Sequence, residues 1–205
     1  MGFASTSCSF TRYRVLEHPS SELWTQIPTL LKRYAFQDID ALSSEERSFG
    51  WTSFDDMLDT EWAAAPPEKG AYLTFALRLE TRRVPPAVSK KHLAIALREE
   101  KRRMAEQGKQ FISRERKKEL REQVQQRLMR HFLPIPAIFD VIWAAGSDRV
   151  YFASTQRKIL DIFEEYFINS FELPLEQLTP YGLAAIILTE HELCRLDTLE
   201  PTSFA

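Results

Sequence analysis

The chain has 205 residues, 44% of them hydrophobic and 27% charged, which excludes a disordered or collagen-like protein and predicts a globular one. No apolar run reaches the roughly 20 residues of a membrane span, and MGFASTSCSFTRYRV lacks the basic-then-apolar order of a secretory signal, so a cytoplasmic protein without membrane attachment is expected. The formal net charge of −2 conceals an asymmetry: between Arg82 and Arg130, sixteen Lys or Arg stand against six Glu.

In chain order, Phe3 to Glu17 reads as a strand carrying Phe10, Tyr13 and Val15. A helix follows, capped by Ser20 or Ser21, with Leu23, Trp24, Ile27, Leu30, Leu31 and Tyr34 on one face; Pro28 is expected to kink or restart it. Phe36 to Arg47 is a polar loop, Phe49-Gly50-Trp51-Thr52 a short extended piece, and FDDMLDTEWAAAPPEKG a second connection. After Gly70, a strand alternates Tyr72, Thr74, Ala76 and Arg78 with Leu73, Phe75, Leu77 and Leu79, until Pro85 and Pro86 end it.

Two helices come next. The first starts near Ser89, carries Leu93, Leu97 and Met104 with Ala96 beside them, and stops at Gly108; the second has Ser113 as N-cap and Leu120, Val124, Leu128 and Phe132 at steps of four. The short link between them predicts an antiparallel hairpin. AIFDVIWAA and RVYFAS then form a β-hairpin around Gly146-Ser147-Asp148, and a helix from Thr155 to about Asn169 turns Ile159, Ile162, Phe163, Tyr166 and Phe167 inward. Leu183 to Leu188 fits strand or helix equally. The order predicts an α+β fold, with mixed or antiparallel sheets packed with helices and a projecting basic helical hairpin. Its parts are an N-terminal α+β portion of the body (1–86), the hairpin tip (87–133) and a C-terminal α+β portion (134–205).

On the second hairpin helix Arg114, Lys117, Lys118 and Arg121 fall at i, i+3, i+4 and i+7, which puts them on one face. The apolar series starts only at Leu120, so the first turns have little to bury. A hairpin rooted by Leu93, Leu97, Val124, Leu128 and Phe132 would leave its tip in water, where Lys101, Arg102, Arg103, Lys109, Arg114, Arg116, Lys117, Lys118 and Arg121 suit phosphate neutralisation. Such long flexible side chains, without a clear base-reading motif, suit shape and backbone contact better than sequence readout. The same pattern also serves a solvated face or a hairpin that docks a protein partner.

Signals for catalysis are weak. Thr189-Glu190-His191-Glu192-Leu193-Cys194-Arg195 begins like a zinc-protease helix, but Arg195 stands where the second histidine belongs. Asp55, Asp56, Asp59 and Glu61 form an acidic cluster that could recruit Mg²⁺ for a nuclease, yet a loop near Pro66 and Pro67 more often carries such residues for solubility. His18, His92 and His131 show no Ser, Cys or Asp partner. Cys8 and Cys194 have no CxxC spacing and read as buried free thiols. No phosphate-binding or dinucleotide glycine motif occurs, so no cofactor and no catalytic residue is expected.

Ala35-Phe36, Phe49-Gly50-Trp51, the run Leu79-Glu80-Thr81-Arg82-Arg83-Val84-Pro85-Pro86-Ala87-Val88, the charged run from Arg114 to Val124, Leu133-Pro134 and Trp143 together resemble the family of the recombination-associated protein RdgC, in order and spacing from about Phe10 to Pro174. The resemblance implies a homodimer that encircles double-stranded DNA without sequence preference, is nucleoid-associated, takes part in recombination and limits access of the RecA recombinase by occupying DNA. It also implies that the hairpin residues above, with Arg78, Arg82 and Arg83, face phosphates. The family label of exonuclease finds no supporting constellation here. Ile135-Pro136-Ala137-Ile138-Phe139 leads to Trp143 sooner than in the family, so a family dimer contact is not carried over to Phe139.

Overall fold

The computed structural model of the chain describes residues 2–40, 43, 45–108 and 111–200. Among these residues the backbone forms β1 (Thr11–Val15), α1 (Ser21–Arg33), β2 (Arg47–Ser53), β3 (Glu68–Lys69), β4 (Tyr72–Thr81), α2 (Pro86–Glu106), α3 (Arg114–Met129), β5 (Ile135–Ala144), β6 (Arg149–Phe152), α4 (Arg157–Phe171), β7 (Leu175–Gln177), α5 (Pro180–Ile187) and α6 (Glu190–Asp197). The strands make one antiparallel sheet in the order β2-β4-β5-β6-β1-β7, with β3 paired to β4. The fold is therefore α+β, as the element order predicts. No helix of the described residues is long and apolar enough to cross a membrane.

The chain divides into two compact units. The first comprises the described parts of 1–35, 51–77 and 138–205. Its core is aromatic. Alternation along β1, β5 and β6 sends Tyr13, Val141, Trp143, Val150 and Phe152 to one face of the sheet, and all are fully buried. α1 and α4 cover them: Trp24 lies 4.8 Å from Trp143, and Phe163 stacks on Phe152 at 4.0 Å and 9°. Trp51 joins the same cluster and donates its indole N–H to Ser170 Oγ at 2.8 Å, while the Ser170 hydroxyl donates to the Tyr166 carbonyl at 2.7 Å. Burial pushes the Tyr166 phenol up to about 12.

Several local expectations are corrected in this unit. β1 is only five residues long, and Phe10 lies outside it. α1 starts where Ser20 accepts from Leu23 N and runs unbroken through Pro28, because Ile27, Leu31 and the partly buried Trp24 hold both sides of the proline to the core. Leu183 to Ile187 resolves as part of helix α5, with the extended Leu188 as its C-cap; the helix is set by Pro180 at its first turn and by Thr179, which accepts from Gly182 N. Cys194 is exposed and Cys8 is half-buried, so neither is the buried thiol expected; partial burial, and then the carboxylate of Asp140, push the Cys8 thiol up. His18 does have an acidic partner, with Nδ1 2.9 Å from Asp148 Oδ1 on the surface.

The second unit comprises the described parts of 36–50 and 78–137, and so contains the described parts of 87–133. α2 begins at Pro86, three residues before Ser89, since a proline at the first helical position loses no intrahelical hydrogen bond. Gly108 takes a left-handed backbone (φ 72°) just past the end of α2, a conformation that costs glycine little. α3 starts as expected, with Ser113 Oγ accepting from Arg116 N at 3.1 Å. Leu120, Val124, Leu128 and Met129 are buried along it, and α2 packs against it.

Candidate nucleic-acid interface

The candidate interface lies on α3. Arg114, Lys117, Lys118 and Arg121 are all exposed and together border an open groove with Glu115. At 100° per residue they occupy an arc of about 100°, and at 1.5 Å per residue their Cα atoms span about 11 Å along the axis. Only one of the four has a carboxylate within ion-pair range among the described residues: Lys118, 3.9 Å from Glu122. On α2, Lys101 and Arg102 are likewise exposed with no ion pair among the described residues. Arg83 is exposed as well.

Four other predicted phosphate contacts are placed differently. Arg78 is 8% exposed: its guanidinium lies 4.0 Å from the centre of the Phe36 ring, and its Nε donates to Glu80 Oε1 at 3.1 Å. It also approaches Asp38 at 3.4 Å. Arg82 is 4% exposed and donates to the carbonyls of Ser43 at 2.9 Å and Asp40 at 3.2 Å, which ties the 36–50 segment to the end of β4. These two guanidiniums do not join the exposed face, because each is enclosed by acceptors of its own unit. Arg116 is half-buried and donates Nε to Glu100 Oε1 at 2.8 Å and Nη1 to Glu119 Oε2 at 2.9 Å. Arg103 keeps its side chain in water but reaches Glu100 at 3.4 Å. Lys109 lies outside the described residues.

Glu100 is the residue that sequence reasoning missed. It is 9% exposed, in the midst of a helix whose other inward positions are Leu93, Ala96, Leu97 and Met104. Arg116 holds its carboxyl below the usual range, and the pair in turn raises the Arg116 guanidinium further above its ordinary value. An unpaired charge at either position is costly, which favours the register that joins them. With Arg116 turned toward α2, Arg114, Lys117, Lys118 and Arg121 turn away from it. The signal was present: Glu100 continues the Leu93–Ala96–Leu97 stripe, and Arg116 precedes Leu120, Val124 and Leu128 at steps of four. On this inner side of α3 a groove of about 330 Å³ runs beside the pair, with acidic Glu99 opposite basic Arg127.

The acidic cluster is absorbed by loop architecture. Asp59 accepts backbone N–H groups from Glu61, Ala63 and Ala64, each at 3.1 Å, and those bonds hold its carboxyl below the ordinary range. They surround Trp62, which takes a left-handed backbone (φ 52°) and buries its indole. Asp55 pairs with Lys69, Asp56 accepts from Leu58 N at 2.9 Å, and Glu61 lies 3.8 Å from Lys32. Among the described residues no group of three or more His, Cys, Asp or Glu is arranged to hold a metal ion, and His191 on α6 is exposed. The chain matches no protein-family model and no curated protein significantly.

Proposed function

We propose that this protein binds double-stranded DNA without sequence preference through the exposed face of its helical hairpin. The observation that carries the reading is the row Arg114, Lys117, Lys118 and Arg121: four long cations on one arc of α3, three of them without an ion pair among the described residues. Charges so concentrated repel one another, and a polyanion relieves that repulsion by releasing its own counterions. Long flexible cations spaced along one face suit contact with a phosphate backbone.

Its mechanism is occupancy: bound protein withholds duplex from other machinery, and it breaks no bond. The resemblance to RdgC-like proteins supports the same reading and extends it to a nucleoid-associated homodimer that limits loading of a recombinase such as RecA. The commitment of Asp55, Asp56, Asp59 and Glu61 to their own loop weighs against a Mg²⁺-dependent nuclease.

The test is fluorescence anisotropy on several unrelated duplexes of equal length at low salt, with size-exclusion and light scattering for the oligomeric state. Equal affinities across sequences are expected, together with loss of binding in the Lys117→Glu/Lys118→Glu/Arg121→Glu variant. Absence of binding by the unmodified protein, or full binding by the triple variant, overturns the proposal.

A further inference from the structure

Phe111 stands three residues before Arg114, in the connection from α2 to α3, and its side chain is 84% exposed. Among the described residues the other exposed aromatic side chains, Phe10, Phe49, Tyr72 and Tyr181, are each covered over about half their surface or more. The ring of Phe111 makes no aromatic contact with a described residue, whereas its neighbour Ile112 is buried. Next in the chain, Ser113 is fixed as the α3 cap by its 3.1 Å bond from Arg116 N. The backbone on this side of Phe111 is thus anchored while the ring is held out in water, against the hydrophobic tendency to cover it.

What the ring faces can be argued from its setting. Three residues of chain reach at most about 11 Å, close to three steps of a nucleic-acid strand at about 3.4 Å each. A strand whose phosphates lie along Arg114, Lys117, Lys118 and Arg121 and that runs on past the start of α3 would bring its next nucleotides within reach of the ring. Cations along a backbone with an aromatic side chain beside them form the combination that binds unpaired bases, since every base offers a flat face to stack on.

We propose that Phe111 is a base-stacking residue that gives the hairpin a preference for DNA with unpaired bases. The cations supply grip on any strand, and the ring adds contact only where a base is free to leave its stack. This rests on the nucleic-acid reading of the α3 face. It adds a discrimination that phosphate contacts alone do not provide.

The experiment uses the full chain and three labelled probes of equal length: an intact duplex, the same duplex with a short unpaired bulge, and a single strand. Phe111→Ala is expected to lose about 5- to 150-fold in affinity for the bulged and single-stranded probes, with little change on the intact duplex. Phe111→Trp should retain the preference and lose its added indole emission when the single strand saturates it. A uniform loss on all three probes, or no loss while the unmodified protein binds, overturns the stacking role. If Phe111→Ala changes the oligomeric state while probe preference is unaltered, the ring belongs to a protein contact and the proposal also falls. Failure of the unmodified protein to bind any probe is a different result, which removes the DNA reading itself.

Discussion

If the hairpin binds DNA as proposed, the salt dependence of binding measures how many phosphates it neutralises. Twelve cations were candidates from sequence. Arg78 and Arg82 are enclosed, Arg116 and Arg103 are tied to Glu100, Arg83 is exposed but precedes α2, and Lys109 lies outside the described residues, which leaves six exposed side chains on the two helices: Lys101, Arg102, Arg114, Lys117, Lys118 and Arg121. Each neutralised phosphate contributes about −0.9 to the slope of log K against log salt, so six give about −5, a loss of roughly 10³ between 50 and 200 mM salt. All twelve would give about −11 and a loss of roughly 10⁶ over the same range. Anisotropy on one duplex across that salt series separates the two. Reversing Lys117, Lys118 and Arg121 to Glu leaves three of the six and should flatten the slope to about −3, with an unchanged thermal melt because all three are exposed. A slope that the triple variant does not alter would refute the assignment. A slope near −11 would mean that the enclosed guanidiniums turn outward on binding.

Other outcomes follow from the same contacts. Arg82→Ala should lower stability by about 1.5–3 kcal/mol, the worth of hydrogen bonds from a charged group, and leave the salt slope untouched; a changed slope with an unchanged melt would return Arg82 to the interface. Ser170→Ala leaves the buried Trp51 indole N–H without its acceptor and should cost about 1–3 kcal/mol in chemical denaturation, an effect that must shrink in the Trp51→Phe background if this bond is the cause. Glu100 has a folded-state pKa below its unfolded value, so it contributes stability above the ordinary glutamate value of about 4.3, and that contribution is lost as pH falls through the lower folded value. Melting temperature measured from pH 7 to 3 should therefore drop less steeply in Glu100→Gln than in the parent, and identical curves would show that the pair is not formed in solution.

The hairpin was readable from sequence because its determinants are local: Ser113 caps three residues ahead, and the steps of four from Leu120 to Leu128 lie on one helix. Arg78 was misread for the opposite reason. Alternation sets it in the row of Tyr72, Thr74 and Ala76, opposite Leu73, Phe75, Leu77 and Leu79, and does not say that both rows are covered, yet every residue of β4 from Leu73 to Glu80 is buried. Its partners Phe36 and Asp38 come from about 40 residues earlier, a proximity that no periodicity reveals. The acidic loop was ambiguous for a different reason, since carboxylates that gather a metal and carboxylates that cap their own backbone look alike as a string of letters. β7 has three residues and no pattern of its own; pairing with β1 is what makes it a strand.

That pairing also sets an order of events in time. Tyr13 of β1 lies opposite Val150 on one side and Gln177 on the other, so β1 leaves the ribosome with neither neighbour in existence. At roughly 5–20 residues per second, its partners arrive about 7 to 33 seconds later. Glu100 and Arg116 are separated by only a short stretch, and they meet almost as soon as both are made. The cationic hairpin can therefore be complete, and able to touch a polyanion, while the sheet still waits for its last strands.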